Sequence, residues 1–274
     1  MPASDMSENI TRLRSLTGIV VPLVTPVDEN GKVDEGSVAR LLESLHGSVS
    51  GFMPALSSGE GWKLSLAQWM DMVRYTVRHA RGLPVLAGAE LGYAPLIAGR
   101  AELAASLGAD AIVVPPPFRT SDGTHHDIVE HFRAIAQESD LPLFAYCENV
   151  VSQWPLDAKE LVDVCRLPGV VGVKESSGDE EFTRRVMSHG IDVPVFQGWE
   201  HLITKTPGTA GFIGSLANLE PQACLDALAE PTPDRQRVID ELSHRYGLAA
   251  DDWYVHLKKE LVARDILSTD RPVD

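Results

Sequence analysis

The chain has 274 residues, 44% hydrophobic and 23% charged, which is ordinary globular usage and enough to bury a large core. Lys and Arg total 24 against 39 Asp and Glu, a formal net charge of −15. So acidic a surface repels phosphate backbones and anionic bilayers, so neither nucleic acid nor a membrane is an expected partner.

Three cysteines, Cys147, Cys165 and Cys224, lack C-x-x-C spacing, which argues against a disulfide framework and a cysteine zinc site. Residues 1–16 read as an N-terminal tail without the basic and apolar regions of a leader, and no run reaches ~18 apolar residues. A cytoplasmic setting is the expectation. In chain order, β-branched apolar runs then recur at Gly18–Pro26, Gly51–Ser58, Pro84–Glu90, Ala111–Pro117, Pro142–Glu148, Val170–Ser177, Val193–Trp199 and Gly211–Leu216. Near-continuous apolar character predicts parallel strands covered on both faces.

Helical patterns fill the intervals: Asp34–Leu45, Ser65–Arg81, Ile97–Leu107, Asp127–Gln137, Leu156–Cys165, Asp179–Met187 and Pro221–Leu228. Ser65 is a capping residue and Gly108 a helix-ending glycine. Eight strands alternating with helices predict an α/β fold, a (β/α)₈ barrel over 17–229. The open doubly wound sheet is the other candidate, but Thr25-Pro26-Val27-Asp28 is not its Gly-rich phosphate turn. Pro231 and Pro233 then punctuate the chain. Arg235–Tyr246 and Asp251–Ala263 read as a C-terminal helical extension, residues 230–274, packed on the barrel.

In such a barrel the chemistry sits where strands end. Lys174 interrupts the apolar run Val170–Val173. An isolated lysine at a strand end ordinarily snorkels to solvent. Held in the barrel mouth among apolar neighbours, it would lose its proton easily and attack a carbonyl to form a Schiff base. Tyr146, on the neighbouring strand, reads either as a core aromatic or as a proton shuttle. Ser57-Ser58-Gly59 reads either as a helix-entry turn or as a carboxylate cradle of hydroxyls and N–H groups. The histidines His125, His126 and His131 lack metal spacing and read as a loop and helix start. The glycines of Gly208–Gly214 read as serving strand eight, and the Leu/Val stripe at 257–262 reads as plain core.

Together these residues resemble a known family. Ser57-Ser58-Gly59-Glu60, Tyr146, Gly169-Val-Val-Gly-Val-Lys174-Glu-Ser-Ser177-Gly and Gly211…Ser215…Asn218 occur in order. The chain is similar, from Thr17 on, to the dihydrodipicolinate synthase/N-acetylneuraminate lyase family. The resemblance implies a Schiff base between a 2-keto acid and Lys174, proton transfer by Tyr146, and a carboxylate held by Ser57 and Ser58. It also implies a homotetramer built as a dimer of dimers. Two departures stand out. The synthases place an arginine for the second substrate's carboxylate where this chain has Val151. They also place a proton-relaying tyrosine, reaching across a subunit interface, where it has Phe118.

The expectation is therefore a lyase or aldolase joining or cleaving a pyruvate-type donor and an aldehyde, and not a dihydrodipicolinate synthase. Gly59 and Ser215 would help bind substrate, with Ser215 on its distal part. Glu148, Asn149, Trp199 and Glu200 would shape the acceptor pocket. The chemistry needs neither metal nor organic cofactor, because the lysine supplies the electron sink. A dehydratase acting on a 2-keto-3-deoxy sugar acid and a non-catalytic keto-acid-binding protein are the alternatives.

Overall fold

The structure is a computed structural model, and it describes residues 3–119, 127–150, 152–155 and 157–274. Eight parallel strands form one sheet: β1 (Gly18–Val21), β2 (Gly51–Phe52), β3 (Leu86–Gly88), β4 (Ala111–Val114), β5 (Leu143–Cys147), β6 (Val170–Glu175), β7 (Val195–Gln197) and β8 (Gly211–Phe212). Their order is β2-β1-β8-β7-β6-β5-β4-β3, and a parallel bridge from Phe52 to Val85 brings the two ends together. The fold is the expected (β/α)₈ barrel with C-terminal helices. All six residues of β6 are buried, as a strand covered on both faces requires.

Among the described residues seven α-helices follow the strands, one after each except β7: α2 (Glu35–Leu45), α3 (Leu66–His79), α4 (Ala94–Leu107), α5 (Ile128–Glu138), α6 (Ala158–Cys165), α7 (Glu180–Ser188) and α8 (Pro221–Ala229). Side chains of Asp34, Ser65, Asp127, Asp157 and Asp179 accept hydrogen bonds from the free N–H groups of their first turns. Each such cap contributes about 1 kcal/mol. Helix α4 starts three residues before the expected Ile97, because Pro95 fits a first turn, where its missing N–H is not needed. The paired part of each strand is shorter than its apolar run. The remainder of the run leaves the sheet and builds the mouth of the barrel.

The segment expected as a tail is instead mostly helix, α1 (Ala3–Arg14). Its Leu13, with Leu16 just beyond it, joins Val20, Met53, Leu86, Val113, Phe144, Phe196 and Ile213 in one buried cluster. Asn9 donates to the Asp110 carbonyl at 2.7 Å, Arg14 donates to that of Val170 at 3.2 Å, and Arg12 pairs with the Asp110 carboxylate. The physical reason is the barrel interior: its floor is apolar and must be covered, and α1 covers it.

The C-terminal helices α9 (Pro233–Arg245) and α10 (Trp253–Ala263) pack Ile239, Leu257 and Leu261 against Leu41, Phe212 and Leu216. The stripe at 257–262 departs from plain core at one position. Lys258 is wholly buried and pairs with the equally buried Glu60. It also donates to the Arg271 carbonyl at 3.0 Å, while Glu60 accepts from the Val273 N–H at 2.8 Å. This pair ties the turn after β2 to the end of the chain.

Candidate active site

Strand alternation decides which residues face the barrel interior. On β5, Phe144 and Tyr146 point inward while Ala145 and Cys147 face the helices. On β6, Lys174 pairs in register with Tyr146, and its Nζ lies 4.3 Å from the centre of the Tyr146 ring. Both side chains are buried. Glu175 turns the other way, where its carboxylate accepts from the Ser177 N–H at 2.6 Å and from the Thr183 hydroxyl.

The turn after β2 sets the opposite wall. Ser57–Gly59 make one 3₁₀ turn, followed by Glu60 in the left-handed region at φ 55°. Gly59 is required there, because a Cβ would lie 2.7 Å from the Leu23 carbonyl oxygen. Thr25 donates to the Gly59 carbonyl at 2.6 Å and holds the turn against β1. The two serines separate in direction. Ser57 donates to the Glu90 carboxylate. Ser58 lies 2.8 Å, hydroxyl to hydroxyl, from Ser215. Ser215 belongs to a second 3₁₀ turn, whose Asn218 donates to the Pro22 carbonyl at 2.9 Å and accepts from the Val24 N–H at 3.2 Å. Ser215 thus faces Ser58 across the mouth, next to the turn after β2.

Three carboxyl groups surround the lysine. Burial pushes Glu90 up to about 7, against the Ser57 hydrogen bond and the nearby Lys174. Burial also raises Glu200, which accepts from the Leu216 N–H at 3.1 Å. Glu148 is buried and accepts from the Ser152 N–H at 3.0 Å. Burial lowers Lys174 to about 8, and the neighbouring Glu90, Glu200 and Glu148 limit the fall. At pH 7 roughly one lysine in ten is then a neutral amine, against about one in several thousand for an exposed lysine. Burial drives the Tyr146 phenol well above its ordinary range, Glu90 adds to this, and the facing Ser57 hydroxyl pulls the other way. The arrangement can present a nucleophilic amine beside a phenol that holds its proton until a strong base develops next to it.

Lys174, Tyr146, Ser57, Ser58, Gly59, Ser215 and Glu148 are therefore brought to one mouth. Trp199 stands at its rim, 36% exposed, with its indole N–H donating to the Ser176 carbonyl at 2.9 Å. Asn149 is exposed. Phe118 packs against Gly92. Val151, His125 and His126 lie outside the described residues, and His131 is a buried residue of α5. Glu90 is the site residue that reading the sequence missed. The signal was present: it is a charge at the end of a buried parallel strand, the same feature that singled out Lys174.

The chain matches the family model described as the dihydrodipicolinate synthetase family over residues 15–233. It is 35% identical over 219 residues to the 4-hydroxy-tetrahydrodipicolinate synthase of Xanthomonas axonopodis pv. citri, covering 76% of this chain and 70% of that one. Among solved structures, the dihydrodipicolinate synthase of Bacteroides thetaiotaomicron superposes with a TM-score of 0.83 at 25% identity, covering 94% and 92% of the two chains. The chloride-inhibited dihydrodipicolinate synthase of Acinetobacter baumannii, complexed with pyruvate, superposes with a TM-score of 0.81 at 22% identity, covering 94% and 91%.

Proposed function

Because this chain belongs to the dihydrodipicolinate synthetase family, we propose that it works through a Schiff base on Lys174, with pyruvate or a close 2-keto acid as donor and an aldehyde lacking a carboxylate as acceptor. It is an enzyme, a class I pyruvate-dependent aldolase or lyase. One observation carries the assignment of the nucleophile: Lys174 is buried against the Tyr146 ring with its pKa drawn down to about 8.

Ser58, Ser215 and the N–H groups of the turn after β2 hold the keto-acid carboxylate. The neutral Lys174 amine attacks the ketone carbon, and water leaves to give an iminium. The iminium accepts the electron pair released when the adjacent carbon loses a proton or breaks its bond to the acceptor. Tyr146 stands beside that carbon and moves the protons.

Charge supports the choice of acceptor. Glu148 and Glu200 flank the lysine, and Val151 holds the position of the synthases' arginine. The hydroxyls of a neutral hydroxyaldehyde can donate to these carboxyl groups, whereas an acceptor's carboxylate cannot. The named relatives are synthases, and this acceptor preference would set the chain apart from them. The homotetramer is what the family resemblance implies, and exposed Tyr93 and Leu96 at the start of α4 offer apolar surface to a second copy. Free, buried cysteines fit a cytoplasmic setting, and no helix of the described residues is long and apolar enough to cross a membrane.

The test is intact mass after incubation with pyruvate and borohydride, for wild type and Lys174→Ala. A reduced pyruvate adduct on wild type alone is expected. No adduct on folded wild type, or an adduct surviving in the variant, refutes the assignment. Condensation rates with a neutral hydroxyaldehyde and a carboxylate-bearing aldehyde then test the acceptor, and a faster reaction with the latter rejects the preference.

A further inference from the structure

Among the described residues the mouth holds a row of polar side chains that the reaction above does not fully use. Tyr146 faces Ser57, Ser57 donates to Glu90, and Glu90 ends the row in the interior of the same chain. The second Glu90 oxygen is buried close to the backbone at Gly61 and Trp62. Phe118 cannot carry a proton, so the row does not continue through that side chain.

We propose that Glu90 is the terminal proton reservoir of the active site, acting through the Ser57 hydroxyl on Tyr146, so that the proton relay is contained within one chain. This rests on the Schiff-base reading of Lys174. Glu90 does not touch substrate; it is a positioning and proton-holding residue for the Ser57 hydroxyl.

The proton count closes around one turnover. Lys174 adds to the ketone as a neutral amine and gives a carbinolamine. As its C–O bond breaks, Tyr146 gives its proton to the departing hydroxide, Ser57 gives its own to Tyr146, and protonated Glu90 gives its own to Ser57. Water leaves, the iminium is positive and Glu90 is a carboxylate. The proton then lost from the donor's methyl carbon returns along the same row to Glu90 and leaves a neutral enamine. When the enamine carbon attacks the aldehyde, Glu90 again supplies the proton taken up by the new alkoxide. Hydrolysis of the iminium restores the acid. Tyr146 and Ser57 are unchanged at each stage.

A terminal group of this kind must exchange its proton near the working pH. The groups facing Glu90 account for its poise. Burial raises it, Glu148 beyond β5 raises it further, and Ser57 and Lys174 of β6 lower it, leaving it about 7. Tyr146 alone does not serve, because burial and Glu90 hold its phenol too weakly acidic.

The experiment follows exchange of pyruvate methyl protons for deuterium by proton NMR across pH 5.5–9, with borohydride trapping run in parallel. Wild type is expected to give a bell-shaped profile, limited by neutral Lys174 on the acid side and protonated Glu90 on the alkaline side. Glu90→Gln keeps the Ser57 contact but holds no exchangeable acid. It is expected to slow exchange about 10²-fold or more and to lose the alkaline limb, while pyruvate is still trapped on Lys174. Ser57→Ala is expected to match it, and the double variant to be no slower than either, as members of one row are not additive. An unchanged profile in folded Glu90→Gln, or fully additive losses in the double variant, overturns the relay. Should Glu90→Gln fail to fold, Ser57→Ala decides by the same profile. Absence of any adduct on wild type overturns the Schiff-base reading instead.

Discussion

The two ends of the barrel are built to opposite rules. The floor is apolar throughout: Leu13 and Leu16 close it over Val20, Leu86, Val113 and Phe196, and polar contacts appear only at its edge, at Asp110 and Val170. The mouth, one strand length away, buries Lys174, Glu90 and Glu148 beside Tyr146. Burying apolar surface stabilises the fold, whereas burying charge costs free energy unless it is paired. The floor thus supplies stability that the mouth spends on a shifted lysine and a shifted carboxyl. One charged pair at the mouth side, Glu60 with Lys258, is structural and fully desolvated.

That pair gives the largest expected effect on stability. Lys258→Met removes the nearest cation from buried Glu60, leaving it only the longer contact to Lys63 at 3.8 Å and the Val273 N–H, and should cost about 3–5 kcal/mol. The urea midpoint reads this, and adding Glu60→Gln should recover most of the loss. If the single variant is as stable as wild type, the pair is not the structural tie described here.

At the floor, Leu13→Ala should cost about 2–5 kcal/mol through lost burial and a residual cavity. Pyruvate trapping at Lys174 should be unchanged at temperatures where the variant stays folded. A loss below about 1 kcal/mol would mean that α1 is not part of the core.

The smallest effect has a sign that distinguishes the two ends. In the unfolded chain Glu90 loses its proton near the ordinary 4.5, and in the folded protein near about 7. Between those values the folded state binds more protons, so stability falls as pH rises through that window and stays lower above it. Glu90→Gln removes this penalty. Its denaturation midpoint should match wild type at pH 4.5 and exceed it at pH 8, by roughly 1–3 kcal/mol. Equal midpoints at both pH values would contradict a buried, shifted Glu90. The same substitution is expected to slow proton exchange, so the mouth trades stability for chemistry at one residue.

Much of this was legible in the chain itself. Lys174 stood out because a charge interrupts an otherwise apolar strand run, and register then set Tyr146 beside it. Glu90 carried the same signal but sat at the last position of its run, where strand and loop are not separable by pattern. α1 was missed because Ile10, Leu13 and Leu16 mean little without a surface to cover.

Apolar runs and helical periods, being local, determined the eight strands, the helices between them and hence the barrel. They also determined that a lysine and a tyrosine would meet at its mouth, since neighbouring parallel strands share a register. Only the tertiary structure decided that Ser57 serves Glu90 while Ser58 meets Ser215, and that Lys258 answers Glu60 from 198 residues away. Those contacts join segments distant in the chain. Their energies come from desolvation and hydrogen-bond geometry, and neither quantity exists until the chain has folded.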